Sequence, residues 1–209
     1  MAIELLNIDC MEYMRTLPDK AFDLAIVDPP YGIGMSVISK STSKHGGRKE
    51  YKEKGWDYKT PEQSYFDELF RVSRNQIVWG GNYFTKFLPP SMGWIFWDKG
   101  QRICNSDGEL AYTSFKRALR VITINRVELL KEGTIHCTQK PIKLYAWILK
   151  NYAKEGDKIL DTHLGSGSSA IAAYNVNMGL SFDGIEIDKE YFDNSIKRII
   201  IETRQLELF

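Results

Sequence analysis

Cysteine and histidine are scarce in this chain, with three of each in 209 residues. Cys10, Cys104 and Cys137 are odd in number and widely spaced, so neither a disulfide framework nor a CxxC zinc or redox site is supported. A reducing compartment is the default expectation. The histidines have no partner at metal-ligand spacing, which argues against zinc catalysis. An excess of one charge is also lacking: 28 basic side chains face 27 acidic ones. That excludes a uniformly basic nucleic-acid coat protein and leaves room only for a local basic patch. No run approaches the roughly 18 apolar residues of a membrane helix. The N-terminus MAIELLNIDC carries Glu4 and no basic stretch ahead of an apolar one, so no signal peptide is expected. What is present is apolar material, 43% of the residues, enough for one packed domain.

Strand-like and helix-like segments alternate. Residues 3–8, 22–27, 76–80, 93–97, 109–115, 119–124, 158–161 and 182–187 read as strands. Residues 11–17, 61–73, 142–154, 168–178 and 189–203 read as helices. This alternation predicts an α/β fold, a mostly parallel twisted sheet with helices on both faces. Residues 32–60 differ: seven basic side chains, among them Lys40, Lys44, Arg48 and Lys49, stand against three acidic ones, with little periodicity. A mobile basic loop is expected there.

Two motifs carry chemistry. The first is Asp161-Thr-His-Leu164-Gly165-Ser166-Gly167-Ser168-Ser169-Ala170, between a predicted strand and a predicted helix. Glycines there let backbone approach a ligand closely and aim amides at anionic atoms. Glu186 ends the next strand, 21 residues after Gly165, where a carboxylate can accept from both ribose hydroxyls. Alone, this pattern also fits a dinucleotide fold or an ordinary glycine turn. It does not fit a P-loop, since no Gly-Lys-Ser/Thr follows.

The second motif, Asp28-Pro29-Pro30-Tyr31, directly follows the apolar strand FDLAIV. Carboxyl ends of strands line the ligand crevice of an open α/β sheet. The prolines stiffen the turn. A carboxylate, a carbonyl and an aromatic ring meeting there suit an amino group on a flat heterocycle, its N–H donors going to Asp28 and the Pro29 carbonyl. Of the aromatics in the run 78–84, Trp79 and Phe84 are expected in the core, and only Asn82 or Tyr83 at the site.

Asp28-Pro-Pro-Tyr31, Gly165-Ser-Gly167, Glu186 and His136-Cys-Thr-Gln-Lys140-Pro141 together resemble the DNA amino-methyltransferases, which methylate adenine N6 or cytosine N4. The acidic first letter of the tetrapeptide resembles the adenine-N6 branch, and the motif order resembles the beta permutation class. The resemblance implies a Rossmann-like methyltransferase fold over residues 1–209, S-adenosylmethionine as methyl donor, no metal, and a DNA adenine flipped out of the duplex. It implies catalytic roles for Asp28, Pro29, Pro30 and Tyr31. Cofactor contacts are implied for Asp9, Cys10, Asp28, Lys140, Asp161, Leu164, Gly165, Ser166, Gly167, Ser168, Ser169 and Glu186. Because the chain ends soon after Glu186, the strand next to it must come from residues 3–8, which places Asp9 and Cys10 at the cofactor's adenine.

Target recognition is expected in 32–60 and 115–135. Phosphate contacts are expected from the loop lysines and arginine together with Lys116, Arg117 and Arg120. The sequence departs from the family at Thr162-His163 and at Cys137. The implied setting is the cytoplasm of a prokaryotic cell, or a phage-encoded protein, with a homodimer or a companion restriction enzyme left open as partners. Cytosine N4 methylation, a non-catalytic nucleic-acid-binding module and a dinucleotide oxidoreductase are the competing readings.

Overall fold

The structure, a computed structural model, describes residues 2–34, 55, 57–100, 106–125, 127–128, 132–136 and 138–204. Most of the basic loop, including Lys40, Lys44, Arg48 and Lys49, therefore lies outside the described residues.

In chain order the elements are β1 (Ala2–Leu6), α1 (Cys10–Thr16), β2 (Phe22–Val27), α2 (Gln63–Val72), β3 (Ser73–Trp79), a 3-10 turn (Gly81–Tyr83), β4 (Trp94–Asp98), β5 (Gly108–Thr113), β6 (Arg120–Thr123), α3 (Ile142–Tyr152), β7 (Lys158–Asp161), α4 (Ser168–Asn175), β8 (Ser181–Ile185) and α5 (Lys189–Arg204). The strands form one sheet in the order β1-β8-β7-β2-β3-β5-β4-β6. β1 pairs in parallel with β8, Leu5 opposite Gly184, as the permuted order requires. β8, β7, β2 and β3 continue in parallel.

The parallel run breaks at β5, which is antiparallel to both β3 and β4. Its first residues, Gly108 and Glu109, therefore sit at the edge where the parallel strands end. Its last residues lead to Lys116 and Arg117 at the opposite edge. β6 pairs in parallel with β4, so Arg120, at its start, is also at that far edge.

Strand periodicity explains the layers. Leu24, Ile26, Ile77, Trp79 and Ile159 face α3, α4 and α5 in one apolar cluster. Ala25, Val27, Val78 and Leu160, one residue out of phase, face α1 and α2 in the other. Both sheet faces are thus covered. No helix among the described residues is long and apolar enough to cross a membrane.

Candidate active site

Because β2, β7, β8 and β1 are parallel, the residues that follow them emerge at one edge. Asp28, Asp161, Glu186 and Asp9 gather there by topology. A cleft of about 280 Å³ opens at this edge, lined among others by Asp9, Asp28, Lys140, Gly165, Glu186 and Tyr191.

The glycine turn is built by its backbone. Gly165 and Gly167 have φ of +53° and +76°, where a side chain is strained. A Cβ at Gly167 would also stand 2.9 Å from Ile199. At Gly165 a Cβ would meet no protein atom closer than 3.8 Å, so that position is open toward the cleft. The Leu164 amide donates to the Ile185 carbonyl (2.8 Å), pinning the turn to β8. Glu186 bridges it: Oε2 accepts from the Gly165 amide and Oε1 from the Asp188 amide, each at 2.9 Å. Asp9 caps α1, its Oδ1 accepting from the Met11 amide at 2.7 Å. Beside it, burial pushes the Cys10 thiol up to about 12, which keeps it a neutral thiol at physiological pH.

Asp28 has both carboxylate oxygens engaged. Its Oδ1 accepts from the Tyr31 hydroxyl (2.6 Å) and its Oδ2 from the Lys140 ammonium (2.5 Å). Lys140 also reaches Glu109 Oε2 and the Tyr31 hydroxyl, both at 3.2 Å. Lys99 completes the row, 2.8 Å from Glu109 Oε1. The charges alternate: Asp28, Lys140, Glu109, Lys99. Burial is the largest influence on Asp28 and lifts it above the usual carboxylate value, with Lys140 opposing. Burial also acts on Lys140, but the two carboxylates outweigh it and hold the ammonium charged. For Glu109, burial is outweighed by Lys140 and Lys99, which keep it below its ordinary value.

Tyr31 is fixed by contact. Its ring stacks on Tyr83, with centroids 5.0 Å apart and planes 14° from parallel. A Cβ at Gly80 would fall 2.2 Å from its Cε1 atom, so only glycine fits there. Of the run 78–84, Tyr83 touches the tetrapeptide through this stack without lining the cleft, while Trp79 and Phe84 are buried in the core as expected.

Of the residues predicted to contact the cofactor, Asp9, Cys10, Asp28, Lys140, Leu164, Gly165, Ser166 and Glu186 line the cleft. Asp161, Gly167, Ser168 and Ser169 do not. Asp161 is buried behind the turn, accepting from the Ser169 hydroxyl (2.5 Å) and the His163 amide (3.0 Å). Burial pushes it up to about 7 against those two donors. Ser168 is spent on Arg198, which donates to its hydroxyl at 2.8 Å. Both serines belong to the first turn of α4 and face the core rather than the cleft. Lys140 lines the cleft, yet its ammonium is committed to Asp28 and Glu109. Of the tetrapeptide, Asp28 and Pro30 line the cleft, and Tyr31 reaches it through Asp28. Lys116, Arg117 and Arg120 are not brought to this edge. Arg117 donates to the Asn151 carbonyl (2.6 Å) at the end of α3, on the far side of the sheet.

Several lining residues were not foreseen: Thr138, Gln139, Tyr145, Ile187, Asp188 and Tyr191. Thr138 and Gln139 sit inside a motif already noted, which is the signal that could have found them. Glu109 carried no signal at all, because its place depends on the direction of β5.

The profile of the DNA methylase family matches residues 78–198. The Type II methyltransferase M2.DpnII of Streptococcus pneumoniae is 26% identical, over 95% of this chain and 90% of its own length. The Type II methyltransferase M.HinfI of Haemophilus influenzae is 24% identical, over 93% and 67%. Among solved structures, the M1.HpyAVI–SAM complex superposes with a TM-score of 0.61 at 19% identity, covering 94% of this chain and 99% of that one. The cytosine-N4-specific PvuII DNA methyltransferase gives 0.61 at 12% identity, covering 99% and 93%. At these identities the structural likeness speaks for the fold. The fold they share is the α/β class with a mostly parallel sheet, which here carries a glycine turn and an acidic tetrapeptide at one rim. Within it, this chain belongs to the DNA methylase family and is by family a DNA methyltransferase.

Proposed function

We propose that this protein transfers a methyl group from S-adenosylmethionine to the exocyclic N6 of an adenine flipped out of DNA. The observation that carries the reading is Asp28. An acidic tetrapeptide stands at the carboxyl end of β2, on the wall of the cleft that Gly165 and Glu186 frame.

The residues present fit the methyl donor. Gly165 leaves an open cradle where any other residue would project a Cβ. The cleft is acidic, with Asp9, Asp28, Glu186 and Asp188 around it, which suits a ligand carrying a positive charge and hydroxyl donors. Glu186 and Asp9 would hold its nucleoside, and the turn 164–166 would hold its other end. When bound, the donor supplies an electrophilic methyl carbon.

The chain's own residues then do the following. Asp28 and the Pro29 carbonyl accept the two N–H bonds of the target amino group, which orients its nitrogen toward the cleft. As positive charge develops on that nitrogen, the Asp28 carboxylate stabilises it and is placed to take the released proton. The lift that burial gives Asp28 makes it a better acceptor for that proton. Extruding the base costs a few kcal/mol of stacking. The aromatic pair Tyr31 and Tyr83, the latter 45% exposed, offers a surface against which a flat ring can stack. Cytosine N4 would use the same geometry, and a relative of this fold is named as specific for it.

The test is methylation of bulk DNA with labelled S-adenosylmethionine, followed by digestion to nucleosides. N6-methyladenine is expected from the wild type, and none from Asp28→Ala, while the variant still binds S-adenosylhomocysteine by calorimetry. Transfer retained by Asp28→Ala would rule the mechanism out. N4-methylcytosine as the product would replace the substrate assignment.

A further inference from the structure

The row of alternating charges beside Asp28 is more than the tetrapeptide needs. Lys140 is 2% exposed and reaches three oxygens, one for each ammonium hydrogen: Asp28 Oδ2, Glu109 Oε2 and the Tyr31 hydroxyl. Its ammonium also faces aromatic rings, Nζ being 5.2 Å from the Trp79 centroid and 5.7 Å from that of Tyr31. Both Asp28 oxygens are engaged before any substrate arrives. A target N–H approaching Asp28 therefore competes with Lys140. An ammonium with Asp28 as its sole counter-charge would resist that competition strongly in so dry a place. Glu109 changes this, because it offers the same ammonium a second carboxylate. Glu109 is there only because β5 runs antiparallel and brings its first residues to the rim. Lys99, just past β4, balances Glu109 from the other side, so the row is neutral as a whole.

We propose that Glu109 is a positioning residue: by sharing the Lys140 ammonium with Asp28, it leaves Asp28 free to engage the target amino group. The proposal rests on the reading of Asp28 given above. The titratable groups that act on Asp28, or on which its charge acts, come from several elements. They are Lys140, Tyr31, Glu109, Tyr145 on α3, Tyr65 on α2 and Asp161 at the end of β7. Of these, Glu109 and the Tyr31 hydroxyl bond the same ammonium, and Glu109 is the one that brings a counter-charge to it.

Two variants push in opposite directions. Glu109→Gln removes the competing carboxylate and leaves Lys140 to Asp28, so Asp28 loses its proton at lower pH. Lys99→Met removes the balancing cation, so Glu109 draws Lys140 more strongly and Asp28 keeps its proton to higher pH. The experiment measures kcat against pH on bulk DNA with labelled methyl donor, and follows the Asp28 carboxyl carbon by NMR in the cofactor-free protein.

Glu109→Gln is expected to move the acid limb of the profile down by about one pH unit and to lower kcat about tenfold. The KM for S-adenosylmethionine should not change. Lys99→Met should move the limb up. Glu109→Asp, which keeps the charge, should restore a limb near the wild type. Thermal shift with S-adenosylhomocysteine reports whether each variant folds. If Glu109→Gln does not fold, the Lys99→Met and Glu109→Asp profiles decide. A limb that stays fixed in folded, active variants overturns the proposal. Transfer by Asp28→Ala would instead overturn the reading beneath it, so the two failures are distinct.

Discussion

Removing the Lys140 ammonium is the sharpest perturbation the site allows. In Lys140→Met, the side chain keeps its bulk against Trp79 while Asp28 and Glu109 lose the cation between them. Their side chains are 16% and 23% exposed, so water relieves only part of the repulsion. Breaking a buried pair by deleting one partner costs roughly 3–5 kcal/mol. The residual exposure, and Lys99 on the far side of Glu109, place this variant near about 3 kcal/mol. The loss must depend on pH, and its sign is fixed. Without Lys140, burial lifts the folded-state pKa of Asp28 further above its unfolded value, so the folded variant binds a proton that the unfolded chain releases. Stability then falls as pH rises through that interval, and the variant lies closest to wild type in acid. Urea denaturation at pH 5 and pH 8 measures this. A loss of equal size at both pH values would refute the electrostatic account and leave Lys140 a packing residue.

Gly80→Ala should strain a backbone at φ +67° and displace Tyr31, lowering methyl transfer about tenfold or more while S-adenosylhomocysteine binding in calorimetry is retained; unchanged kcat would show that Tyr31 need not hold its position. Asp161 and His163 should pull stability in opposite directions between about pH 4 and pH 7. Asp161, raised to about 7 by burial, loses stability as pH rises, whereas His163, lowered to about 4 by burial, gains it. His163→Phe should therefore show stability falling across that window in denaturant titrations where the wild type is nearly flat, and parallel curves for the two proteins would contradict the assignment. Arg120→Ala, on the far edge of the sheet, should leave the methylation rate and the salt dependence of DNA binding unchanged; a shallower salt slope would mean that DNA reaches that edge.

Much of the fold was legible along the chain because it is local. The apolar run 22–27 and the Gly/Ser turn after 158–161 mark buried strands and a strand–turn–helix junction without reference to any distant residue. The permuted order made even a long-range statement possible: the N-terminal strand lies beside β8. The glycines and Glu186 were legible too, since positive φ and a carboxylate at a strand end leave marks in residue type. The serines misled for the same reason. Ser168 and Ser169 look like ligand donors in a glycine-rich motif, but a helix beginning at 168 turns them toward Asp161 and Arg198.

Residue types and their short-range spacing dictate the kind of sheet, the two motifs at its rim and the chemistry those side chains permit. Each of these depends on side-chain identity and on spacing within a few residues. Which charges stand next to Asp28 is set instead by long-range packing. The Lys140–Asp28 bond spans 112 positions, and the arrival of Glu109 depends on one strand running against its neighbours. Strand direction is set by packing and hydrogen bonding across the whole sheet, so no local pattern encodes it. The same reversal carried Lys116, Arg117 and Arg120 to the far edge, where a reading of charge alone would not have put them.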